Sequence, residues 1–535
     1  MYLNNYLASA YNNKVLIMKL VCILLTLGLT ISINAQSLQS LNQNNVNAMI
    51  TDAGFFFNTP GVNTGGYEIP SGSGIHTIYS SAFWFGGTDI NGHLKLAGQD
   101  VYGSNSDLWP GPLTLNSATA IIPNPLGQTI WSVTLAEIND HIANYNQPGY
   151  IIPTSIENWP AHGDTTLGLS YFLAPFVDTD FNGFYDPSSG DYPCIKGDRT
   201  VYTIMNDKAD VHGSGGNPIG IEVHFMFYQF NSTDYLNNTT FIDIDVFNRG
   251  TQTIFDFKTS FVYDGDIGNP ADDFYGCDSL ANIMYMYNAD EIDENTGSIN
   301  GYGANPPSAG MACLSHDMES AISFSNGAVF PYSDPASALQ KWSVMNGFWI
   351  DGSPVYDDLG QVTKYQYSGN PNNPGEWSEL ELSNSPGDRR GVMTVGDGFL
   401  EYEGHKKYTF AVLYDRSGTT EIENVNGLLS VANFAQTFFD SNLDEICDVS
   451  VMGVEEIEPN TFRLYPNPSI GIFNIEWNSD AQVDVLISDI SGRIVYKYFN
   501  LHGVDSIIQV DLPAGIYTVN VILEGGILTE KLIIE

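Results

Sequence analysis

Oxygen-bearing side chains recur at alternate positions after Asp178. Counting Asp178 as position 1, such side chains fall at positions 3, 5 and 9, and position 6 is Gly183. This is the spacing of a calcium-binding loop, in which the glycine permits a sharp turn and position 7 offers its backbone carbonyl. The segment therefore predicts a structural calcium site, with these ligands: Asp178, Asp180, Asn182, the carbonyl of Phe184, and Asp186.

The loop departs from the regulatory EF-hand pattern at its twelfth position. A regulatory loop has a bidentate glutamate there, whereas this chain has Ser189 and shows no flanking helical pattern. The departure leaves a structural loop in which Asp191 replaces the missing ligand. The alternative interpretation is a polar turn that binds nothing.

A second acidic group follows, in which Asp264 and Asp266 flank a glycine and three more acids come soon after: Asp272, Asp273 and Asp278. Solvated acids on an acidic protein are the first interpretation, and a shared hard cation is the second. The third is a pair of glycosidase carboxylates, whose separation distinguishes retaining from inverting chemistry.

Nucleophilic catalysis has little support in this sequence. His212 and Ser214 are neighbours, but the Gly-x-Ser-x-Gly spacing of a nucleophile elbow is missing there. Glu222 and His224 share one face of a predicted strand and could hold a metal with His212, although a polar outer face explains them equally well. We therefore assign no catalytic residue from the sequence.

The chain is strongly acidic, with a formal net charge of −43. Such a charge repels phosphate backbones and anionic lipids, which argues against nucleic-acid and membrane-surface partners. The 52 glycines, 26 prolines and 13% aromatic residues favour many strands and turns over helical bundles.

The N-terminus has the pattern of a secretory signal peptide, which we place at residues 1–35. An apolar run at 20–33 follows Lys14 and Lys19 and ends before Gln36. Met18 is an alternative start. The run is shorter than the roughly 20 residues that cross a bilayer, and no transmembrane segment is predicted elsewhere.

Exported proteins form disulfides in the oxidising periplasm. Cys22 lies inside the signal peptide, so an even number of cysteines remains and two disulfides are predicted, with the pairing left open. The candidates are Cys194, Cys277, Cys313 and Cys447.

Residue periodicity predicts a mostly β fold, an antiparallel β-sandwich with one solvated face and few helices. Alternating runs indicate strands at 221–230, 241–247, 254–263 and 408–414, and apolar stripes indicate helices at 134–145 and 425–439. We divide the chain into five segments: the signal peptide at 1–35, a turn-rich passenger region at 36–198, a β-sandwich passenger region at 199–450, a linker at 451–462, and a tail at 463–535. The two passenger regions are expected to be subdomains.

The tail has short strands of period two between turn motifs, which predicts a small Ig-like β-sandwich. The motif residues are Tyr465, Pro466, Asn467, Pro468, Gly471, Gly492, Pro513, Gly515 and Tyr517. In this order they resemble the C-terminal sorting domain of type IX secretion cargo. The resemblance implies export through the periplasm to the outer cell surface or the medium. It implies the secretion machinery and its sortase as partners, with attachment to a surface glycan or lipopolysaccharide as a candidate fate.

The passenger also resembles an uncharacterised group of exported proteins that carry the same tail, a likeness that implies its extent and no activity. The residues concerned are 83–87, 109–112, 191–193, 197–198, 272–278 and 387–390. Abundant turns and weak catalytic sets favour a non-catalytic binding, adhesive or structural module with calcium-stabilised loops. The alternatives are a secreted hydrolase that attacks polysaccharide through carboxylates and a component that assists surface assembly.

Overall fold

The computed structural model describes residues 37–59, 61, 64–297, 299–443, 447, 463–476, 483–489, 494–501, 505–510, 512–523 and 526–534. The predicted signal peptide, the predicted linker and Gly492 of the tail motif lie outside the described residues.

The described passenger is built mainly from short strands. In chain order they are β1 (Leu38–Leu41), β2 (Asn47–Thr51), β3 (Phe55–Phe56), β4 (Tyr67–Glu68), β5 (His76–Thr88), β6 (Leu94–Gly98), β7 (Trp109–Pro110), β8 (Ile130–Thr134), β9 (Phe176–Val177), β10 (Tyr192–Pro193), β11 (Arg199–Asn206), β12 (Ile221–Gln229), β13 (Thr240–Asn248), β14 (Ile254–Gly265), β15 (Asp273–Asp278), β16 (Ile283–Asn288), β17 (Ile292–Asp293), β18 (Gly303–Ala304), β19 (Ser308–Cys313), β20 (Met318–Ser325), β21 (Val355–Tyr356), β22 (Val362–Thr363), β23 (Arg389–Leu400) and β24 (His405–Asp415).

Helices are few, as predicted. The α-helices of the described passenger are α1 (Leu135–Asn144), α2 (Thr154–Glu157), α3 (Ala338–Met345) and α4 (Glu421–Asn442), and short 3₁₀ helices lie at Thr165–Leu167, Pro187–Ser189, Tyr235–Asn238 and Pro270–Asp272. The start of α1 is specified locally, because Thr134 and Glu137 form a reciprocal capping box. No helix in the described part of the chain is long and apolar enough to cross a membrane.

Two nine-stranded sheets form the passenger. The first runs β1-β2-β3-β5-β14-β23-β20, with β4 beside β2 and β5 and with β6 beside β5. The second runs β15-β16-β19-β24-β13-β12-β11-β7, with β8 beside β11. Both sheets combine strands from before and after residue 198. The two predicted passenger regions therefore contribute to the same pair of sheets.

Aromatic side chains from both sheets meet between them. The ring centroid of Phe83 in β5 lies 5.0 Å from that of Phe261 in the same sheet. It lies 5.5 Å from Phe225 in β12 and 5.6 Å from Phe410 in β24, both in the second sheet. All four side chains are buried. Burying one such side chain contributes roughly 1.5–3 kcal/mol, so this layer holds the predicted antiparallel sandwich together.

Both outer faces of the sandwich are also covered, and the predicted solvated face is wrong. Helix α4 packs on β19 and β24 over the second sheet, and α3 packs on β6 and β23 over the first. Glu222 and His224 were expected on a polar outer face, but their exposed fractions are 0% and 1%. Trp131, Trp159 and Tyr202 belong to the apolar cluster that covers this face.

The prediction that all four passenger cysteines form disulfides is also wrong. Cys194 and Cys447 are bonded, while Cys277 and Cys313 are free and buried. The free pair lies on β15 and β19, and β16 runs between these two strands. Two strand spacings amount to roughly 10 Å, whereas bonded cysteines have Cα atoms roughly 4.4–6.8 Å apart. The sheet order therefore separates these thiols.

The tail forms its own small sandwich, as predicted. Its strands are β25 (Arg463–Tyr465), β26 (Ile472–Glu476), β27 (Val483–Asp489), β28 (Ile494–Leu501), β29 (Asp505–Gln509), β30 (Gly515–Leu523) and β31 (Gly526–Ile534). One sheet runs β25-β26-β29 and the other β28-β27-β30-β31. Phe473 and Ile508 of the first sheet share a buried cluster with Ile487 and Val519 of the second.

Candidate functional site

The loop after β9 brings three carboxylates together. Asp178, Asp180 and Asp191 each place one oxygen within 4.8 Å of the others. Asp191 is fully buried at the base of the loop, and Asp180 is exposed at its rim. The three oxygens are close enough to hold one metal ion.

Backbone amides fold this loop around its acids. Gly183 N donates to Asp178 Oδ2 at 2.7 Å, and Asn182 N donates to Asp178 Oδ1 at 3.2 Å. Gly183 has φ +78°, a left-handed conformation that glycine adopts without strain. The turn therefore depends on this glycine.

Asp191 closes the loop from its buried end. It accepts hydrogen bonds from Thr179 N at 2.8 Å and Asp186 N at 2.9 Å. Asp186 Oδ1 is buried without a hydrogen-bond donor among the described residues. Desolvation raises the pKa of Asp180, and the surrounding carboxylates raise it further.

The side chain of Asn182, another predicted ligand, points its amide nitrogen toward the acids. The side-chain amide nitrogen of Asn182 donates to Asp180 Oδ2 at 3.1 Å and Asp186 Oδ2 at 3.2 Å. Asn182 Oδ1 accepts from Phe184 N at 2.7 Å. A cation between these acids would need the amide of Asn182 to turn its oxygen inward.

Two acids of the second group, Asp264 and Asp266, line a cavity of about 910 Å³ at one end of the first sheet. Asp264 and Asp266 lie at and just beyond the end of β14, where they flank Gly265. Alternate residues of an extended chain point to the same face, so the two carboxylates share the cavity wall. Asp388 joins them, and the three residues each place one oxygen within 4.8 Å of the others.

Strand pairing explains how Asp388 reaches this wall. Asp264 lies opposite Arg390 in the β14–β23 register, so the residues just before β23 arrive beside the end of β14. A Cβ at Gly265 would lie 2.2 Å from Met286 Sδ and 2.5 Å from Tyr275 Oη, so a larger residue there would have to displace these buried side chains. The pairing with β5 is irregular between Asp264 and Gly265, and such irregularities re-aim side chains.

A tyrosine and an arginine tie the acids together. Tyr102 Oη donates to Asp264 Oδ2 at 2.6 Å and accepts from Arg390 Nε at 2.8 Å. Arg390 Nη1 donates to Asp388 Oδ1 at 2.9 Å. His76 Nε2 lies 3.8 Å from Asp266 Oδ2. The cavity wall thus combines carboxylates, a guanidinium, an imidazole and a phenol.

Burial dominates the protonation of these acids. It raises the pKa of Asp266 to about 8, with the charge of Asp388 adding and that of Arg390 opposing. Burial also raises the pKa of Asp264 well above its usual range, and the nearby Asp266 adds to this. The pKa of His76 is lowered by burial, against the attraction of nearby acids.

The sequence singled out Asp264 and Asp266 but not the partners that complete this wall. Asp388 and Arg390 appeared only within a motif, and nothing in the sequence linked Tyr102 or His76 to the acids. The other acids of the predicted group are outside the trio. Asp273, for example, is buried and accepts from Ile267 N at 2.9 Å.

The predicted nucleophile and histidine sets do not assemble. Ser214 Oγ donates to Asp107 Oδ2 at 2.5 Å, and His212 contacts the carbonyl oxygens of Leu96 and Asp207 at 2.8 and 2.7 Å. Both residues therefore act as structural links.

Glu222 and His224 form a separate buried network. Arg249 Nη2 donates to Glu222 Oε1 at 2.7 Å, and His224 Nε2 lies 3.0 Å from the same oxygen. His224 Nδ1 lies 2.8 Å from Tyr202 Oη. Each polar group of this pair thus faces a protein partner.

Most described motif residues of the tail have structural roles. Asn467 Oδ1 accepts from Ile533 N at 2.9 Å, which ties the opening motif to β31. Gly471 has φ +95°, and a Cβ there would lie 2.6 Å from Val510 O. Tyr517 Oη donates to Pro513 O at 2.9 Å, across the turn that leads into β30 at Gly515. Tyr465, Pro466 and Pro468 are exposed beside these contacts.

Comparisons with solved structures give weak likenesses. A polysaccharide lyase is 8% identical, with 58% of this chain and 34% of that protein covered and a TM-score of 0.17. A domain of a biofilm associated protein is 10% identical, with 84% of each chain covered and a TM-score of 0.14. The chain thus spans about a third of the length of the lyase, and neither TM-score supports an argument about fold or function.

The tail matches a known family. No curated protein matches the sequence. Residues 463–535 match the family described as the secretion system C-terminal sorting domain. These residues are therefore a type IX sorting domain, and the chain is cargo that this system exports to the cell surface or the extracellular space.

Proposed function

We propose that the passenger is a non-catalytic binding module that acts outside the cell. The observation that carries this proposal is the cavity of about 910 Å³, whose lining includes Tyr79, Asn300 and Arg390. Ligand sites are concave, with a few polar groups that orient the ligand. Amides, carboxylates and tyrosine rings together suit a polar, polyhydroxylated ligand such as a glycan.

A glycan-binding screen of the mature exported chain tests this proposal. Asn300→Ala removes a cavity-lining amide and should weaken binding of any glycan that the wild type retains. Asn91→Ala, an exposed change in a distant turn, should bind as the wild type does. If Asn300→Ala binds every glycan that the wild type binds as strongly as Asn91→Ala does, the ligand does not use this cavity.

A polysaccharide hydrolase is the second candidate function. The paired carboxyls of Asp264 and Asp266 in the cavity favour it, because burial keeps Asp266 protonated near neutral pH, as a general acid must be. Incubating the same glycans with the protein should then release shorter products, and Asp266→Asn should abolish this release. Binding without product release supports the non-catalytic module.

We also propose calcium as the ion of loop 178–191. Its support is the approach of Asp178, Asp180 and Asp191 within 4.8 Å and the all-oxygen donor set, which hard cations prefer. Calcium would hold the acids that otherwise repel one another. Its test is the Asp180 variant discussed below.

For the exported chain, we propose that the sortase of the secretion system removes the tail and joins the passenger to a surface glycan or lipopolysaccharide. The support is the tail itself and the acidic, proline-containing segment that precedes it. Intact mass spectrometry of the surface-released protein should show a mature chain without residues 463–535 and with added glycan mass. A mass that includes the tail contradicts this fate.

A further inference from the structure

The inner wall of the cavity concentrates negative charge. Asp264, Asp266 and Asp388 converge there within 4.8 Å, and Asp334 also reaches Arg390, at 3.4 Å. Arg390 is the one permanent cation in contact with this group among the described residues. One guanidinium offsets only one of these carboxyl groups when they are ionised, so the ionised group needs a further cation to balance it.

Two carboxylate oxygens in this wall lack protein partners. Asp264 and Asp266 have exposed fractions of 4% and 6%. Asp264 Oδ1 and Asp266 Oδ1 are nevertheless without a hydrogen-bond donor among the described residues. Buried polar atoms in folded proteins are nearly always satisfied, so these two oxygens are open to a partner from the cavity.

The surroundings leave these two oxygens available and hold Asp264 Oδ2 and both oxygens of Asp388. Tyr102 occupies Asp264 Oδ2 at 2.6 Å. Both oxygens of Asp388 have donors, since Arg390 and Asn326 Nδ2 each bond one of them at 2.9 Å. The acids are therefore positioned by side chains on three segments, which is how a preformed site is built.

We propose that Asp264, Asp266 and Asp388 bind a calcium ion at the inner wall of the cavity. All-carboxylate donors match the preference of this hard cation for oxygen, and calcium accepts six to eight ligands in irregular geometry. Solvent or a ligand hydroxyl from the cavity would complete its coordination. This site is separate from loop 178–191 and does not depend on the cavity taking a glycan.

The experiment counts bound calcium in the mature exported protein by equilibrium dialysis. Asp180→Asn first removes the loop site, and this variant should keep one bound ion. Adding Asp266→Asn should remove that ion. Adding Asp256→Asn instead should leave it, because Asp256 is an exposed acid of β14 that pairs with Lys258 outside the cavity.

Two results would overturn the proposal. The first is an Asp180→Asn protein that binds no calcium, and the second is an Asp180→Asn/Asp266→Asn protein that still binds one ion. Near-UV circular dichroism establishes that each variant is folded. If Asp266→Asn does not fold, Asp388→Asn at the more exposed residue replaces it, and unchanged calcium binding by that folded variant counts against the site.

The outcome also separates the two calcium proposals. If loop 178–191 binds no calcium, the wild type and Asp180→Asn each bind one ion, and only the Asp266 variant loses it. If the cavity binds none, the wild type and Asp266→Asn each bind one ion, and Asp180→Asn binds none.

Discussion

Glu222 and Asp266 are both buried carboxylates, and their surroundings shift their pKa values in opposite directions. Burial raises the pKa of both groups. Around Glu222, the charges and hydrogen bonds of Arg249 and His224 outweigh burial and lower its pKa to about 2. Around Asp266, the charge of Arg390 opposes burial without outweighing it, and the pKa rises to about 8. The first is a structural ion pair, and the second can take a proton or a cation.

Glu222 should make the protein sensitive to acid. Its folded pKa lies below its unfolded value of 4.5, so its stabilisation is complete above that value and is lost as the pH falls toward about 2. The loss amounts to about 3 kcal/mol at most. Urea unfolding should show that Glu222→Gln is less stable at pH 7, because Arg249 is left unpaired, and less sensitive to acid.

Exposed Glu401→Gln is the control for this change and should follow the wild type at every pH. Equal acid sensitivity of Glu222→Gln and the wild type would show that other carboxyls account for the effect.

Asp180 should carry the calcium response of loop 178–191. Extracellular sites of this type bind with Kd values of about 10⁻⁴ to 10⁻³ M, so millimolar calcium should stabilise the loop by about 1 kcal/mol. Asp180→Ala should lose this share of the calcium-dependent rise in Tm, while its Tm in chelator stays the same or rises slightly, because one repelling carboxylate is gone.

Thermal unfolding with and without calcium measures this effect. If the variant responds to calcium as strongly as the wild type, the loop is only a polar turn that binds no calcium.

At the scale of elements, aromatic packing joins the two sheets, and a disulfide joins the C-terminal end of the passenger to its middle. Phe83 contacts rings of both sheets. Cys194, just after β10, bonds to Cys447, beyond the end of α4, across a separation of 253 residues. The disulfide thus ties the chain that follows α4 to the body of the passenger.

Phe83→Ala should destabilise the passenger by about 3–5 kcal/mol, because it opens a cavity between the sheets. Phe255→Ala is the matched control, since Phe255 is 43% exposed and should cost far less. Chemical denaturation of both variants measures the difference. Similar losses would mean that the interface between the sheets does not limit stability.

The disulfide should be the only one within the passenger. Thiol titration of denatured, unreduced mature protein should find two free thiols, from Cys277 and Cys313. Cys447→Ser should lower the free energy of unfolding by at most about 5 kcal/mol, because the cross-link no longer restricts the unfolded chain. Finding no free thiol would contradict the strand order that separates the two cysteines.

At the scale of the whole molecule, passenger and tail have separate cores. The passenger core lies between two nine-stranded sheets, and the tail core lies between the two small sheets that β25–β31 form. Each apolar cluster is drawn from its own segment of the chain. Such a division allows the sorting domain to be lost after export while the passenger stays folded.

A chain that ends at Glu458 should fold and remain in the periplasm. It keeps every described residue of the passenger and loses the sorting domain at 463–535. Cell fractionation should find it in the periplasm. Its thermal unfolding should have the same Tm as the passenger transition of the full-length protein. Efficient delivery of this truncation to the surface would show that export does not require the tail.

Local patterns in the sequence determined four of the longer strands, the helices α1 and α4, and the sorting domain. The alternation at 221–230 and 254–263 and the apolar stripe at 425–439 correspond to β12, β14 and α4. Periodicity, caps and turn residues act between near neighbours, so one sequence suffices to recognise them. The ordered tail motifs act in the same local way.

Tertiary structure decided everything that depends on distant pairing. Arg390 meets Asp264 across 126 positions only because β23 pairs with β14, and the cavity acids could not be grouped without that register. The same holds for the disulfide and for Glu222, which a covering segment buries. Sequence patterns show which face of a strand is apolar. Which residues that face contacts is decided by the order of the strands and the packing of the layers, and these depend on the whole core.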